Sequence, residues 1–549
     1  MKLTNLPQYR RDGARFVEIT ATLVKFGFAG HLERFEPEFV KRWLGHEDLD
    51  QVASRPIGER MRLACEELGP TFIKLGQILS TRPDVVPSEV AKDLEKLQSS
   101  APADPPDEVR KTVEEELGRP IEELFDAFDL EPIASASIGQ VHRARTHGGR
   151  DVVVKVRHPG IEERVEVDFD ILHGLAGFLE DRDETMRSFQ VQSVVDEARR
   201  TIQRELDFRR ELRNLEAFRR AFADREDVHF PEPFEELSSR RVLTMEFLDG
   251  DSVANEERLD ADGFDRKQLA LTGAELYLDM VFRDGAFHAD PHPGNVFVLI
   301  DGRLALVDFG MVGRIDAEMR DDLLDLLVGF VRADQREIER AVRRIGVVPS
   351  DVDESALRHD IGELQSELAS QPIGEMDVAA LLEQFTSMLR RHGIQLPAAA
   401  SLLVKLLIML EGTSRHLDPQ FSLMEVLKPY CEQLVIRRAS PRAQAKRAFD
   451  AGRDWMRFIE RLPSLLDDAS RRLERGQMKV DMIHSGLEAT VDLLVSGLLC
   501  ASLLVGGSML WALKAPPVLY GVPVVGVLAT GIAMIHGIRI LRSIGRSPD

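Results

Sequence analysis

Two carboxylates and an amide framing a short hairpin constrain this chain more than any other feature. The segment reads His288-Ala-Asp290-Pro-His292-Pro-Gly-Asn295, and Asp308-Phe-Gly310 begins thirteen residues after Asn295. Between them Val296-Phe-Val-Leu-Ile300 and Leu304-Ala-Leu-Val307 are apolar runs joined at Asp301-Gly302, a turn dipeptide. That pattern predicts a β-hairpin. Asp290 and Asn295 then fall on the loop before the hairpin and Asp308 just after it. An amide oxygen and a carboxylate are the ligands a hard divalent cation takes.

Composition limits the setting. A chain of 549 residues is too long for one core and implies two to four folding units. A net charge of −22 argues against nucleic-acid binding as the main task, which needs clustered positive charge. Cys65, Cys431 and Cys500 form neither a disulfide framework nor a zinc pattern, as in a reducing compartment. Met1 to Arg15 is mixed and charged, without the apolar core of a signal peptide.

The C-terminal end predicts a membrane. Leu493 to Leu513 carries no charge over 21 residues, and Ala515 to Ile535 repeats the pattern. Each is long enough to cross a hydrocarbon core of ~30 Å. Arg471, Arg472, Arg475 and Lys479 precede the first stretch, Arg539, Arg542 and Arg546 follow the second, and Lys514 alone lies between. The positive-inside rule then predicts a transmembrane helical hairpin, with multi-pass localisation in the cell (inner) membrane and both termini cytoplasmic.

Along the chain, residues 1–125 read as a helical extension, with helices at Phe35 to Leu44, Ile57 to Leu68, Thr71 to Ser80, Pro87 to Gln98 and Pro106 to Leu117. Residues 126–250 turn β-rich: Ser135 to Ala144 and Asp151 to Val156 flank a His147-Gly-Gly149 turn, and strand signals return at Arg241 to Phe247. Residues 251–435 are mainly helical outside the hairpin. A basic amphipathic linker at 436–488 could lie on anionic headgroups, or be an ordinary solvated helix. The spans occupy 489–540. The fold class predicted is α+β: a small β-rich lobe followed by a larger helical lobe, the order of a bilobal kinase-like fold.

The chemistry follows that order. The Asp290, Asn295, Asp308 spacing is the one by which protein-kinase-like phosphotransferases place a base and two magnesium ligands at a triphosphate. Val152-Val-Val-Lys155-Val puts an ammonium in an apolar strand, a costly position unless phosphates or a helix Glu pair with it. Glu205-Leu-Asp207-Phe-Arg-Arg-Glu211 offers three carboxylates, with Asp207 and Glu211 on one helix face. The nucleotide-covering loop departs from a Gly-rich turn: Ala134-Ser135-Ala136-Ser137-Ile138-Gly139-Gln140-Val141 holds a single glycine, and its Cβ atoms restrict positive φ. After Gly310 the chain runs through Met311-Val-Gly313 into a helical stretch from Ala317, with no long activation segment to dock a protein substrate.

With these residues in place, the chain resembles the UbiB/ABC1/ADCK family of atypical kinases, in its bacterial or archaeal UbiB-like branch. The resemblance runs from about Ile57 through Pro419. It rests on Lys74-Leu-Gly76-Gln77 continuing Ser80-Thr-Arg82-Pro-Asp84 (the family's KxGQ element), the Ala-rich loop, Glu205-x-Asp207, and the Asp290 and Asp308 segments. It implies that Lys155 is the strand lysine paired with Glu211, that Asp290 stands at the catalytic-base position, and that Asn295 and Asp308 hold Mg2+. The loop Ala134 to Val141, with Glu246 and Leu248, would bind ATP or ADP. Lys74 and Gln77 would fold over the cleft, with Lys74 near Glu205 and Asp207. The implied role is an ATPase or unorthodox kinase supporting ubiquinone or other isoprenoid-quinone biosynthesis. Its implied partners are a membrane lipid or quinone precursor and quinone-biosynthesis enzymes. A nucleotide-gated scaffold without catalysis is the alternative.

Overall fold

Prolines and glycines cut the first part of the chain into short amphipathic helices. The computed structural model describes residues 12–28, 55–97, 102–438 and 501–534, apart from short gaps within these ranges. The opening helices are α1 (Gly13–Leu23), α2 (Ile57–Leu68), α3 (Pro70–Ser80), α4 (Ser88–Leu94) and α5 (Pro106–Leu117). Gly69, at φ +91°, lets α2 turn directly into α3, a backbone angle that a residue with a Cβ resists. Phe16, Ile19, Leu68, Phe72 and Leu94 share one apolar core, which also takes in Ile171 and Leu175. The helix expected at Phe35 to Leu44 lies outside the described residues.

The next segment builds an antiparallel sheet. Its strands are β1 (Ala127–Phe128), β2 (Ala134–Ser135), β3 (Gly139–Arg145), β4 (Asp151–Arg157) and, after three helices, β6 (Val242–Glu246). The strand expected over Ser135 to Ala144 is thus broken by a turn into β2 and β3. Strand order is β1-β3-β4-β6, with β2 also on β3. The period-two alternation of a strand sends Val152, Val154 and Val156 into a core beneath α5, with Val109 and Val113. Lys155 therefore points out of the opposite face. Between β4 and β6 run α6 (Ile161–Glu180), α7 (Val191–Glu205), α8 (Phe208–Ala221) and the short strand β5 (Val228–His229).

The remaining strands are nested. β7 (Gly250–Ser252) is followed by α9 (Arg266–Asp279), β8 (Ala286–His288), β9 (Val296–Leu299), β10 (Leu304–Leu306) and β11 (Val312–Arg314). β9 and β10 form the expected hairpin, with Leu304 opposite Val298. β8 and β11 pair outside it, with His288 opposite Val312. One hairpin inside another strand pair brings the two connecting loops, 289–295 and 307–311, side by side. Helices α10 (Ala317–Arg332), α11 (Gln335–Ile345), α12 (Glu354–Ser370), α13 (Val378–Arg391), α14 (Ala398–Leu417) and α15 (Leu423–Arg438) follow. Leu403, Leu406 and Leu410 of α14 join Tyr277, Leu278 and Phe309 in the largest core.

The chain divides into two units, Met1–Ala439 and Ser440–Asp549. The second corrects the membrane expectation. Among the described residues no helix is long and apolar enough to cross a membrane, which overturns the multi-pass inner-membrane localisation and the transmembrane hairpin. Of the linker expected at 436–488, all but 436–438 lies outside the described residues, as do 489–500 and 511 of the first expected span and 515, 520–521, 524, 526–527, 532 and 535–540 of the second. Where the second span was expected, Val518–Leu519 pairs antiparallel with Val522–Pro523 instead. Proline lacks the N–H that a continuous helix needs, and Pro523 stands inside that stretch.

Candidate functional site

The two parallel loops and the free face of β4 meet at one group of charges. Lys155 Nζ lies 3.1 and 3.0 Å from the two carboxylate oxygens of Glu211 in α8. It is also 3.5 Å from Asp308 Oδ1 and sits over the Phe208 ring. Burial acts to lower the lysine, but the carboxylates of Asp308 and Glu211 outweigh it and hold Lys155 above its ordinary value. Burial pushes Glu211 upward while Lys155 pulls it back, and the short contacts to both oxygens favour the charged pair. The Lys155 ammonium draws the Asp308 carboxyl down to about 2. Asp308 keeps 51% of its side chain exposed, so its carboxylate is ionised and open to the cleft.

The loop before the hairpin is self-braced. Asn295 Nδ2 donates to the Asp290 carbonyl at 3.2 Å and to Asp290 Oδ2 at 3.1 Å. Both contacts come from Nδ2 and orient the amide. His288 explains how the two loops stay in register. Its Nδ1 accepts from the Asp290 N–H at 3.3 Å, so the proton is on Nε2, which reaches the carbonyls of Val307 and Asp308 at 3.0 Å each. Asp308 sits at φ +60°, a strained angle for a residue with a side chain and one that clusters at functional sites. Its Oδ1 accepts the Gly310 N–H at 3.2 Å.

The N-terminal extension reaches the same cleft. Lys74 of α3 meets Glu205 Oε2 at 2.7 Å. Burial lowers the Lys74 ammonium, and the Glu205 charge more than offsets that, keeping it above its ordinary value. Asp207, two residues on from Glu205, holds other partners. It caps α8 through the Arg209 N–H and clamps the Arg209 guanidinium, since the N-cap position turns its carboxylate along the helix. Gln77 donates to the Leu97 carbonyl at 3.3 Å, toward the chain that follows α4.

The Ala-rich segment becomes a two-residue turn, Ser137-Ile138, between β2 and β3. Ala134 pairs with Val141 and Ser135 with Gln140. None of Ala134 to Val141 has positive φ. Gly139 is required for space: a Cβ there would lie 2.6 Å from the Val156 carbonyl oxygen. The Glu246 side chain is taken by His229 Nε2 and the Glu232 N–H, both at 3.0 Å, and the contact with His229 holds its carboxyl low. Leu248 lies on the link 247–249 that joins β6 to β7, and hence one sheet to the other.

Sequence reasoning missed several residues that set this geometry. Asn214 of α8 donates to the Phe309 carbonyl at 3.0 Å, tying the helix of Glu211 to the loop of Asp308. Thr413 of α14 donates to the Pro291 carbonyl, and Ser252 to that of Pro293. These polar partners come from distant segments with no shared spacing, so the sequence carries no local signal for them. Asn295 Oδ1 and the open Asp308 carboxylate fit an oxygen-ligated divalent cation.

Comparisons with known proteins agree with the geometry. Residues 96–342 match the ABC1 atypical kinase-like domain, 361–422 the UbiB helical domain, and 478–546 the ABC1/UbiB kinase-like C-terminal domain. A probable protein kinase UbiB of Aliivibrio fischeri is 33% identical over 442 residues, covering 80% of this chain and 81% of that protein. An uncharacterized protein of Clostridium pasteurianum is 30% identical over 496 residues, covering 89% and 93%. One from Synechocystis is 33% identical over 417 residues, covering 75% and 71%. With these motifs gathered in one cleft and these relatives along most of its length, the chain belongs to the UbiB/ABC1 family of atypical kinase-like proteins.

Proposed function

We propose that this protein binds ATP or ADP with Mg2+ in the cleft between a lobe at 126–250 and one at 251–435, and acts as an ATP-dependent phosphotransferase or ATPase in ubiquinone or another isoprenoid-quinone biosynthesis. The observation that carries the reading is the convergence of the Lys155–Glu211 pair on the open Asp308 carboxylate beside the braced Asp290–Asn295 loop. Lys155 would neutralise phosphate oxygens, and Glu211 keeps its ammonium in place. Asn295 Oδ1 and Asp308 would hold Mg2+, which supplies charge neutralisation at the phosphates. Asp290, held at a fixed distance from Asn295, would orient the attacking hydroxyl or water. The family relatives named as probable protein kinases support the transferase class. A quinone precursor or lipid is the proposed acceptor, and quinone-biosynthesis enzymes the proposed partners.

Purified chain should hydrolyse ATP in the presence of Mg2+, and Asp308→Asn should lower that rate at least about 100-fold, as expected for loss of a metal-holding carboxylate. Equal rates in the two proteins would sink the enzymatic reading.

One observation favours a second reading, a nucleotide-gated scaffold. Lys74, brought in by the extension, already neutralises Glu205 beside Asp308, so a cation of the chain itself stands at the phosphate end of the cleft. Complementation separates the two: full restoration of quinone levels by an Asp290→Asn chain would favour the scaffold.

A further inference from the structure

A relay of contacts behind the Ser137-Ile138 turn plays no part in the reading above. The turn closes through the Ala136 N–H, which donates to the Gly139 carbonyl at 2.9 Å. His158, the residue after β4, holds it twice: the His158 backbone N–H donates to the Ile138 carbonyl at 3.1 Å, and the ring Nε2 meets the Ala136 carbonyl at 2.8 Å. Ring Nδ1 meets Asp104 Oδ2 at 2.6 Å. Asp104 belongs to the Pro-rich link ahead of α5, and its N–H donates to Gln140 Oε1 at 2.8 Å. Gln140 is registered opposite Val156, and Val141 opposite Lys155. Asp104 and His158 therefore lie behind the sheet, while Lys155 faces the cleft.

Through its two ring nitrogens His158 bridges the Asp104 carboxylate and the Ala136 carbonyl. In a trans peptide the carbonyl and the next N–H point in opposite directions. Pinning the Ala136 carbonyl back onto His158 thus turns the Ser137 N–H away from His158. Ser137 is only 1% exposed, and its Oγ has no partner. Its N–H has none among the described backbone contacts either. A buried serine with both donors unused is costly without a ligand.

We propose that Asp104 and His158 are positioning residues which aim the Ser137 amide and hydroxyl at a phosphate of the bound nucleotide. The inference rests on the ATP/ADP reading. The other charges around the ring are engaged elsewhere or lie further along the cavity behind it. Arg157 and Arg240 bind Glu162, Arg241 binds Glu116, and Glu163 lines the same cavity. His142, on the same face of β3, also feels Asp104. Asp104 is the carboxylate in contact with the ring.

The test compares ADP, which has the phosphates, with adenosine, which lacks them, on the full chain. Titration calorimetry in Mg2+ should show Asp104→Asn, His158→Gln and Ser137→Ala each binding ADP about tenfold more weakly, the effect of one charge-assisted hydrogen bond, with adenosine affinity unchanged. A general loosening of the lobe would weaken both ligands equally, and that result, or unchanged ADP binding, overturns the proposal. Wild-type chain that bound no adenine nucleotide would remove the ATP/ADP reading itself and this inference with it.

Discussion

The buried lysine is where the sequence spoke most directly. An ammonium in Val152-Val-Val-Lys155-Val had to find a counter-charge, and Glu211 supplies it from a helix 56 residues away. Lys155→Met leaves Glu211 buried without a cation and should destabilise the chain by about 3–5 kcal/mol in urea unfolding. Adding Glu211→Leu to it should recover most of that loss, because the uncompensated charge then disappears. Asp308 makes a pH prediction with a definite sign. Its folded carboxyl is depressed to about 2 from an ordinary 3.8, so its contribution to stability is present above that ordinary value and lost as pH falls toward 2. The difference in unfolding free energy between wild type and Asp308→Asn should be flat above pH 4 and shrink between about 4 and 2. A difference independent of pH over that window would show that Asp308 titrates normally. What the residue pattern hid was the orientation of these groups. The positive φ of Asp308, the tautomer of His288 and the reach of Asn214 all depend on which distant carbonyl lies opposite, and no local spacing encodes that.

Among the elements, periodicity and turn chemistry carried the helix Pro106 to Leu117 into the structure unchanged and the hairpin at Asp301-Gly302 with each strand one residue shorter. The nesting of that hairpin inside β8 and β11 was not legible, since each outer strand is only three residues long. The terminal segment shows the opposite failure. Charge-free length alone suggested two spans, whereas Pro523 and its neighbours favour a tight strand pair. Two contacts between elements can be tested. Arg15 of α1 binds Asp168 of α6 at 2.7 and 3.0 Å, and Asp168 is 0% exposed. Arg15→Ala should therefore cost about 3–5 kcal/mol, and hydrogen exchange should show α1 opening before the rest. Gly139→Ala would drive a Cβ into the Val156 carbonyl. Backbone cannot yield as a side chain can, so a loss of about 1–3 kcal/mol is expected, together with weaker nucleotide binding. A Gly139→Ala chain as stable as wild type would mean that β3 and β4 can part at that point.

At the scale of the whole molecule, the first unit arranges an ordered set of charges around one cleft, and the N-terminal extension closes on it through Lys74 and, behind the sheet, through Asp104. The absence of a long activation segment is visible in the structure as well: β11 follows Gly310 almost at once and leads into α10. Among the described residues, the stretch between Gly310 and α10 holds no long segment on which a protein substrate would dock. Replacing Lys74 with Ala should consequently raise phosphate transfer onto a protein in trans if α3 is what blocks access, and radiolabel transfer from ATP would read it. On the proposed function, Lys155, Asn295 and Asp308 would together hold a magnesium nucleotide. Calorimetric titration of ADP into the full chain, with and without Mg2+ and repeated with Asp308→Asn, tests it most directly. The structure predicts binding that Mg2+ strengthens at least about tenfold, a gain that Asp308→Asn abolishes. Affinity that ignored both the metal and the substitution would contradict it.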